Sequence, residues 1–141
     1  MKPIALIFLV LTLLDVGCSD TSPAAPSTTS TSTSGPTFFT GTLAPQGSSF
    51  YSLTLTQAGT VSLTVASLTF GPRNPAPATI VGLGFGTPVG TDCSLTASTN
   101  TGAGLVAQIN SASGTGTFCV DIFDVGHLDR PVDFVVRIVH P

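Results

Sequence analysis

The residues best suited to chemistry lie near the C-terminus, where Asp121, Asp124, Asp129 and Asp133 crowd a short stretch that also holds Gly126 and His127. Carboxylate oxygens converging on a loop between strands are the hard ligands Ca²⁺ takes. The competing reading is a solvated acidic turn with Arg130 and Arg137 as partial counter-charges, and the spacing matches no known calcium loop. Nucleophilic catalysis has less to build on. His127 follows Asp124-Val125-Gly126 in a turn and His140 is next to last. No Ser stands in a G-x-S-x-G elbow, and no Ser, His and Asp are placed as a triad. No pair of aspartates is marked for the burial that glycoside hydrolysis needs. The sequence predicts no enzyme and no cofactor.

Cysteine supplies the other reactive groups: Cys18, Cys93 and Cys119. Two cysteines within one exported domain form a bond by default, which predicts a Cys93–Cys119 disulfide. Metal ligation by that pair lacks nearby His at ligand spacing. Cys18 is then the odd thiol.

Those side chains must be positioned by β structure. Charged residues are 8% of the chain, against about 25% in ordinary soluble domains. Lys2 is the only Lys and Glu is absent. Thr, Val, Ile and Phe suit a pleated sheet, and the 15 Gly and 11 Pro mark its turns. The net charge of −3, with no basic stripe, would repel a phosphate backbone, which argues against nucleic-acid binding.

The N-terminus reads as an address. Met1-Lys2-Pro3 is followed by an apolar run from Ile4 to Leu14, short of the ~20 residues a spanning helix needs and of signal-peptide proportions. Leu14-Asp15-Val16-Gly17-Cys18 resembles a bacterial lipobox. Gly17 and Cys18 match it and Val16 is tolerable, while Asp15 stands where an aliphatic residue is usual. The resemblance implies lipid attachment at Cys18, and thus an anchor that holds the chain to a membrane without spanning it. Residues 1–17 are then a signal peptide. Residues 18–37, read SDTSPAAPSTTSTSTSGPT from Ser19, form a Ser/Thr/Pro-rich tether with too little apolar surface to offset the entropy of ordering. Residues 38–141 are the domain.

Within the domain, alternation of period two predicts strands. They are Phe38–Leu43, Phe50–Thr56, Val61–Val65, Thr79–Phe85, Leu105–Ile109, Thr117–Phe123 and Val132–Val139. The second and third share an apolar-in, hydroxyl-out pattern, which predicts a hairpin between them. Pro-rich 71–77 is a loop, 87–102 reads as irregular, and 111–116 as a turn. Gly82, Gly84 and Gly86 alternate with apolar residues, a sign of close backbone approach or a bulge. About seven antiparallel strands with one disulfide predict an all-β sandwich. If Phe118, Val120 and Ile122 face the core, Cys119 faces outward, and the bond clips segment 87–102 over the sheet.

Phe39-Thr40-Gly41-Thr42-Leu43, Phe50-Tyr51-Ser52-Leu53-Thr54-Leu55 and Gly59-Thr60-Val61-Ser62-Leu63-Thr64-Val65 resemble the opening of bacterial pre-peptidase C-terminal domains. Gly116-Thr117-Phe118-Cys119-Val120 looks like their G-T-Y-Y-V strand, and Phe134-Val135-Val136-Arg137-Ile138 like their closing strand. The Pro-rich insert, the missing D-x-D-L signature and the disulfide depart from that pattern. The resemblance implies a β-sandwich module without catalytic residues of its own.

The expectation is an exported, non-catalytic module, anchored as a lipoprotein at the outer membrane or cell surface, or secreted otherwise. It would mediate binding or adhesion with a protein or glycan partner. A small carbohydrate- or Ca-binding protein is the alternative, with Phe38, Phe39, Phe70 and Phe123 as candidate sugar platforms. A self-assembling surface component is a further one, since few charges guard the edge strands.

Overall fold

The computed structural model describes residues 35–76 and 78–141. The signal peptide, the Cys18 attachment point and most of the tether lie outside the described residues. Eight strands follow in order: β1 (Thr37–Leu43), β2 (Ser48–Leu55), β3 (Gly59–Thr69), β4 (Val81–Val89), β5 (Asp92–Thr101), β6 (Ile109–Ser113), β7 (Gly116–Asp124) and β8 (Val132–Val139). They form two four-stranded sheets, ordered β1-β8-β3-β6 and β2-β7-β4-β5, with every pairing antiparallel. The expected all-β sandwich with one disulfide is the fold.

Alternation explains the core. Val61, Leu63 and Val65 of β3 and Val132, Phe134, Val136 and Ile138 of β8 are buried against Val81, Leu83 and Phe85 of β4 and Val120 and Ile122 of β7. In β3 the inward row jumps from Val65 to Leu68, because a bulge shifts the register between Val65 and Ser67. That extra residue keeps Leu68 facing the core. Phe39 of β1 links the sheets by stacking on Tyr51 of β2 at 5.6 Å, and within its own sheet it packs edge-on against Phe134 of β8 at 4.9 Å.

Three expectations are corrected. The second and third strands are not a hairpin: β2 pairs with β7 and β3 with β8, in different sheets. Two facing sheets present the same apolar-in pattern as two paired strands, so alternation does not distinguish them. Segment 87–102 is not irregular, because it holds the end of β4 and all of β5, which raises the strand count from about seven to eight. The Thr/Ser-rich β5 borders only β4, and an edge strand needs no apolar alternation. Gly90, at φ 62°, opens the two-residue turn between them, the position where a type II′ hairpin places Gly. Finally, Leu105 and Val106 are not in a strand. β6 begins at Ile109 and runs to Ser113, through the expected turn.

The edge of β3 beyond β6 is not left open. Phe70 N donates to Asn74 O at 2.7 Å and Ala76 N to Leu68 O at 2.9 Å, and Thr69 bridges Pro75. The Pro-rich segment therefore folds back along β3 and occupies its edge with residues that cannot extend a ladder.

Candidate functional site

The four aspartates go to different places. Asp133, on β8, accepts a 2.6 Å hydrogen bond from Thr42 Oγ1 of β1. Asp129 pairs with Arg130 on the surface at 3.4 Å. Arg130 in turn lies over the Phe70 ring at 4.7 Å. Among the described residues no three His, Cys, Asp or Glu side chains come together, so the structure does not assemble the calcium set Asp121, Asp124, Asp129 and Asp133.

Asp124 has a different occupation. Its Oδ1 accepts N–H groups from Gly126, His127 and Leu128 at 2.8–3.2 Å, and its Oδ2 accepts Gln46 N at 2.8 Å. Its own N–H donates to Gly47 O at 3.0 Å. One carboxylate thus ties the β1–β2 turn to the β7–β8 loop. The Gln46 N–H bond and its companions hold the carboxyl below its ordinary 3.8. Gln46 sits at φ 59° in a turn closed by Gly47 N to Ala44 O, a backbone region costly to a residue with a Cβ. The neighbouring Asp124 bond offsets that cost. The sequence did signal it: Asp followed by Gly two residues on is an Asx-type turn.

Asp121 lies on the face of β7 turned away from the core. In register it stands opposite Phe50 of β2 and Gly84 of β4. Its Oδ1 is shut off from water with no hydrogen-bond partner. Burial pushes its carboxyl up to about 6, partly opposed by the Ile122 N–H and reinforced by Asp92.

The glycines of β4 shape this face. A Cβ at Gly82 would overlap the Phe123 ring, one at Gly84 would meet Leu95 Cδ2 at 2.5 Å, and one at Gly86 would overlap the backbone of Ser94. Cys93 on β5 and Cys119 on β7 are bonded with Cα atoms 5.9 Å apart. With β4 between those strands, two strand spacings would separate them by about 9.5 Å. The first half of β5 therefore climbs over the outer face of β4, where Gly86 makes room for it. Cys119 does face away from the core, as expected, yet it is fully buried beneath that crossing.

The aromatic candidates do not share a surface. Phe39 is in the core, Phe70 is covered by Arg130, Phe38 stands 56% exposed on β1, and Phe123 lies over Gly82 in the other sheet. His140 Nε2 is 3.3 Å from Thr37 Oγ1, where the first and last strands meet.

One surface feature was misread in the sequence. Leu105 and Val106 are 96% and 79% exposed, at the tip of a loop fastened to β3. Gly104 N donates to Val65 O at 2.8 Å and Gln108 N to Leu63 O at 2.9 Å. The Gln108 side chain supplies what the bulging loop cannot, its Oε1 accepting Val65 N at 2.8 Å. Among the described residues there is no enclosed pocket. No protein-family model matches the chain, and no curated protein matches it in sequence.

Proposed function

We propose that this chain is an exported, non-catalytic β-sandwich module, held at a membrane by lipid on Cys18 and a Ser/Thr/Pro tether, which works by binding a protein partner. The observation that carries this reading is the braced Gly104–Gln108 loop. Two large aliphatic side chains displayed to water on a loop held by two backbone hydrogen bonds and one through the Gln108 side chain cost solvation free energy that a partner's surface would recover. Aliphatic tips suit a protein surface better than a sugar, which is recognised through aromatic planes and hydrogen-bonding groups. The resemblance to pre-peptidase C-terminal modules supports the non-catalytic part of the reading.

A photo-crosslinking residue at position 105, in cells carrying the full chain, should give one discrete adduct with a second protein. Val106→Asp should abolish it, and the same probe at exposed Thr54 should not produce it. An adduct formed only with another copy of the chain would replace this reading with self-assembly; no adduct, or equal adducts at both positions, would overturn it. The tether has its own test: Cys18→Ser should move the protein from the membrane to the soluble fraction.

A further inference from the structure

Asp121 is a charge without a counter-charge, in surroundings that select a particular kind of visitor. Directly opposed residues of antiparallel strands hold their Cβ atoms about 4.5–5.5 Å apart, so Phe50 borders the carboxylate on one side. On the other, Leu95 occupies the space above Gly84. Along β7, the residues on the same face are Phe123, whose ring lies across Gly82, and the disulfide-bonded Cys119. Two rings, an isobutyl group and a disulfide thus frame one carboxylate. A buried polar oxygen with no donor is rare in folded proteins and calls for an explanation.

No cation of the domain supplies one. Arg130 is engaged with Asp129 and Phe70. Arg137 is on β8, in the other sheet, and Arg73 is in the β3–β4 connection. His127 lies in the loop after Asp124 and His140 beside Thr37. Asp92, of like sign, raises the Asp121 carboxyl further.

We propose that this face is a binding site for a guanidinium group carried on an aliphatic stem, with Asp121 as its anionic partner and Phe50 and Phe123 as its walls. Guanidinium is planar and weakly hydrated, so it enters apolar, ring-lined surroundings more readily than ammonium and donates two parallel hydrogen bonds to a carboxylate. Rings beside the carboxylate add cation–π attraction. Phe50 and Leu95 are 36% and 37% exposed, and since Oδ1 is shut off from water, entry of the ligand requires a neighbouring side chain to move aside. This site is independent of the Gly104–Gln108 loop, which lies against the opposite sheet.

The test is amide chemical-shift titration of the full chain in detergent with n-butylguanidinium, neutral n-butylurea, and the blocked peptide Gly-Arg-Gly. At pH 7.5 butylguanidinium should shift Phe50, Gly84, Asp121 and Leu95, while butylurea leaves them unmoved. Asp121→Asn, which removes the charge and keeps the shape, should weaken binding at least tenfold, and so should lowering the pH to 5. Phe50→Ala should weaken it less. Tighter binding of the peptide than of butylguanidinium assigns the natural source to a polypeptide, and equal binding to a free small cation; either supports the site. Equal shifts with butylurea, binding that survives Asp121→Asn, or no shifts with any probe would overturn it. Failure of the loop crosslink at position 105 would leave this result untouched.

Discussion

Two aspartates three positions apart on the same strand end respond to pH in opposite directions. Asp121 has its carboxyl raised from 3.8 to about 6 by burial. The folded state then binds a proton more tightly than the unfolded chain. Its contribution to stability is complete below about pH 4 and is lost as pH rises through about 6. Asp124 is held below 3.8 by backbone N–H groups. Its contribution is present above 3.8 and is lost as pH falls through its depressed folded value. The pair predicts greatest stability between about pH 4 and 6. Asp121→Asn should flatten the alkaline side, gaining about 1–2 kcal/mol at pH 7.5 and almost nothing at pH 4. That figure converts the shift at 1.36 kcal/mol per unit and is reduced because the side chain is only half buried. Chemical denaturation at the two pH values measures it, and an equal gain at both would show that the substitution acts through shape instead of charge.

The strands themselves were largely legible, because Val61-Leu63-Val65 and Phe134-Val136-Ile138 alternate and alternation reports burial on one face. What alternation does not report is the partner. Leu53 and Leu55 of β2 and Val61 and Leu63 of β3 are all buried in the core but belong to different sheets, a relation with the same sequence pattern as a hairpin. Strand β5 was missed because an edge strand of Thr, Ser and Asn has no inward apolar row, although Gly90-Thr91 marked its turn. The role of Asp124 was half legible: Asp124 and Gly126 mark the local Asx-type turn, but the bond from Gln46 N comes from backbone 78 residues away, which carries no side-chain signature. The glycines of β4 were a sound clue to close approach. Gly86→Ala would place a methyl group in the carbonyl of Ser94, where backbone has nowhere to retreat while the disulfide holds. Overpacking of this kind costs about 1–3 kcal/mol, so thermal melting should fall by several degrees. The disulfide provides a second expectation for the same element. It joins residues 26 apart, and its removal in a Cys93→Ala/Cys119→Ala variant should cost about 3–4 kcal/mol through the entropy of the unfolded chain. A loss under 1 kcal/mol in denaturant unfolding would mean that β5 holds its crossing without help.

For the molecule as a whole, the sheet orders carry a kinetic consequence. Of the strands adjacent in sequence, only β4 and β5 are hydrogen-bonded to each other; every other connection passes from one sheet to the other. β1 pairs with β8, so the first strand of the domain waits for the last. Non-local pairing demands loop closure before any contact can compensate for it, and sandwiches of this kind fold in milliseconds to seconds. The disulfide joins β5 to β7 and already closes one of those loops, but it leaves the β1–β8 pairing and the β3–β8 pairing to be found by search. Oxidised chain refolded from denaturant should therefore show a main phase on the order of 0.01–1 s. It should be read by interrupted unfolding, with denaturation kept to a few seconds, before the many X-Pro bonds isomerise over tens of seconds. Reduced chain should fold more slowly still, since one more loop must close unaided. A sub-millisecond main phase in the oxidised chain, or identical rates with and without the bond, would show that local structure and not the crossing of the two sheets limits the reaction.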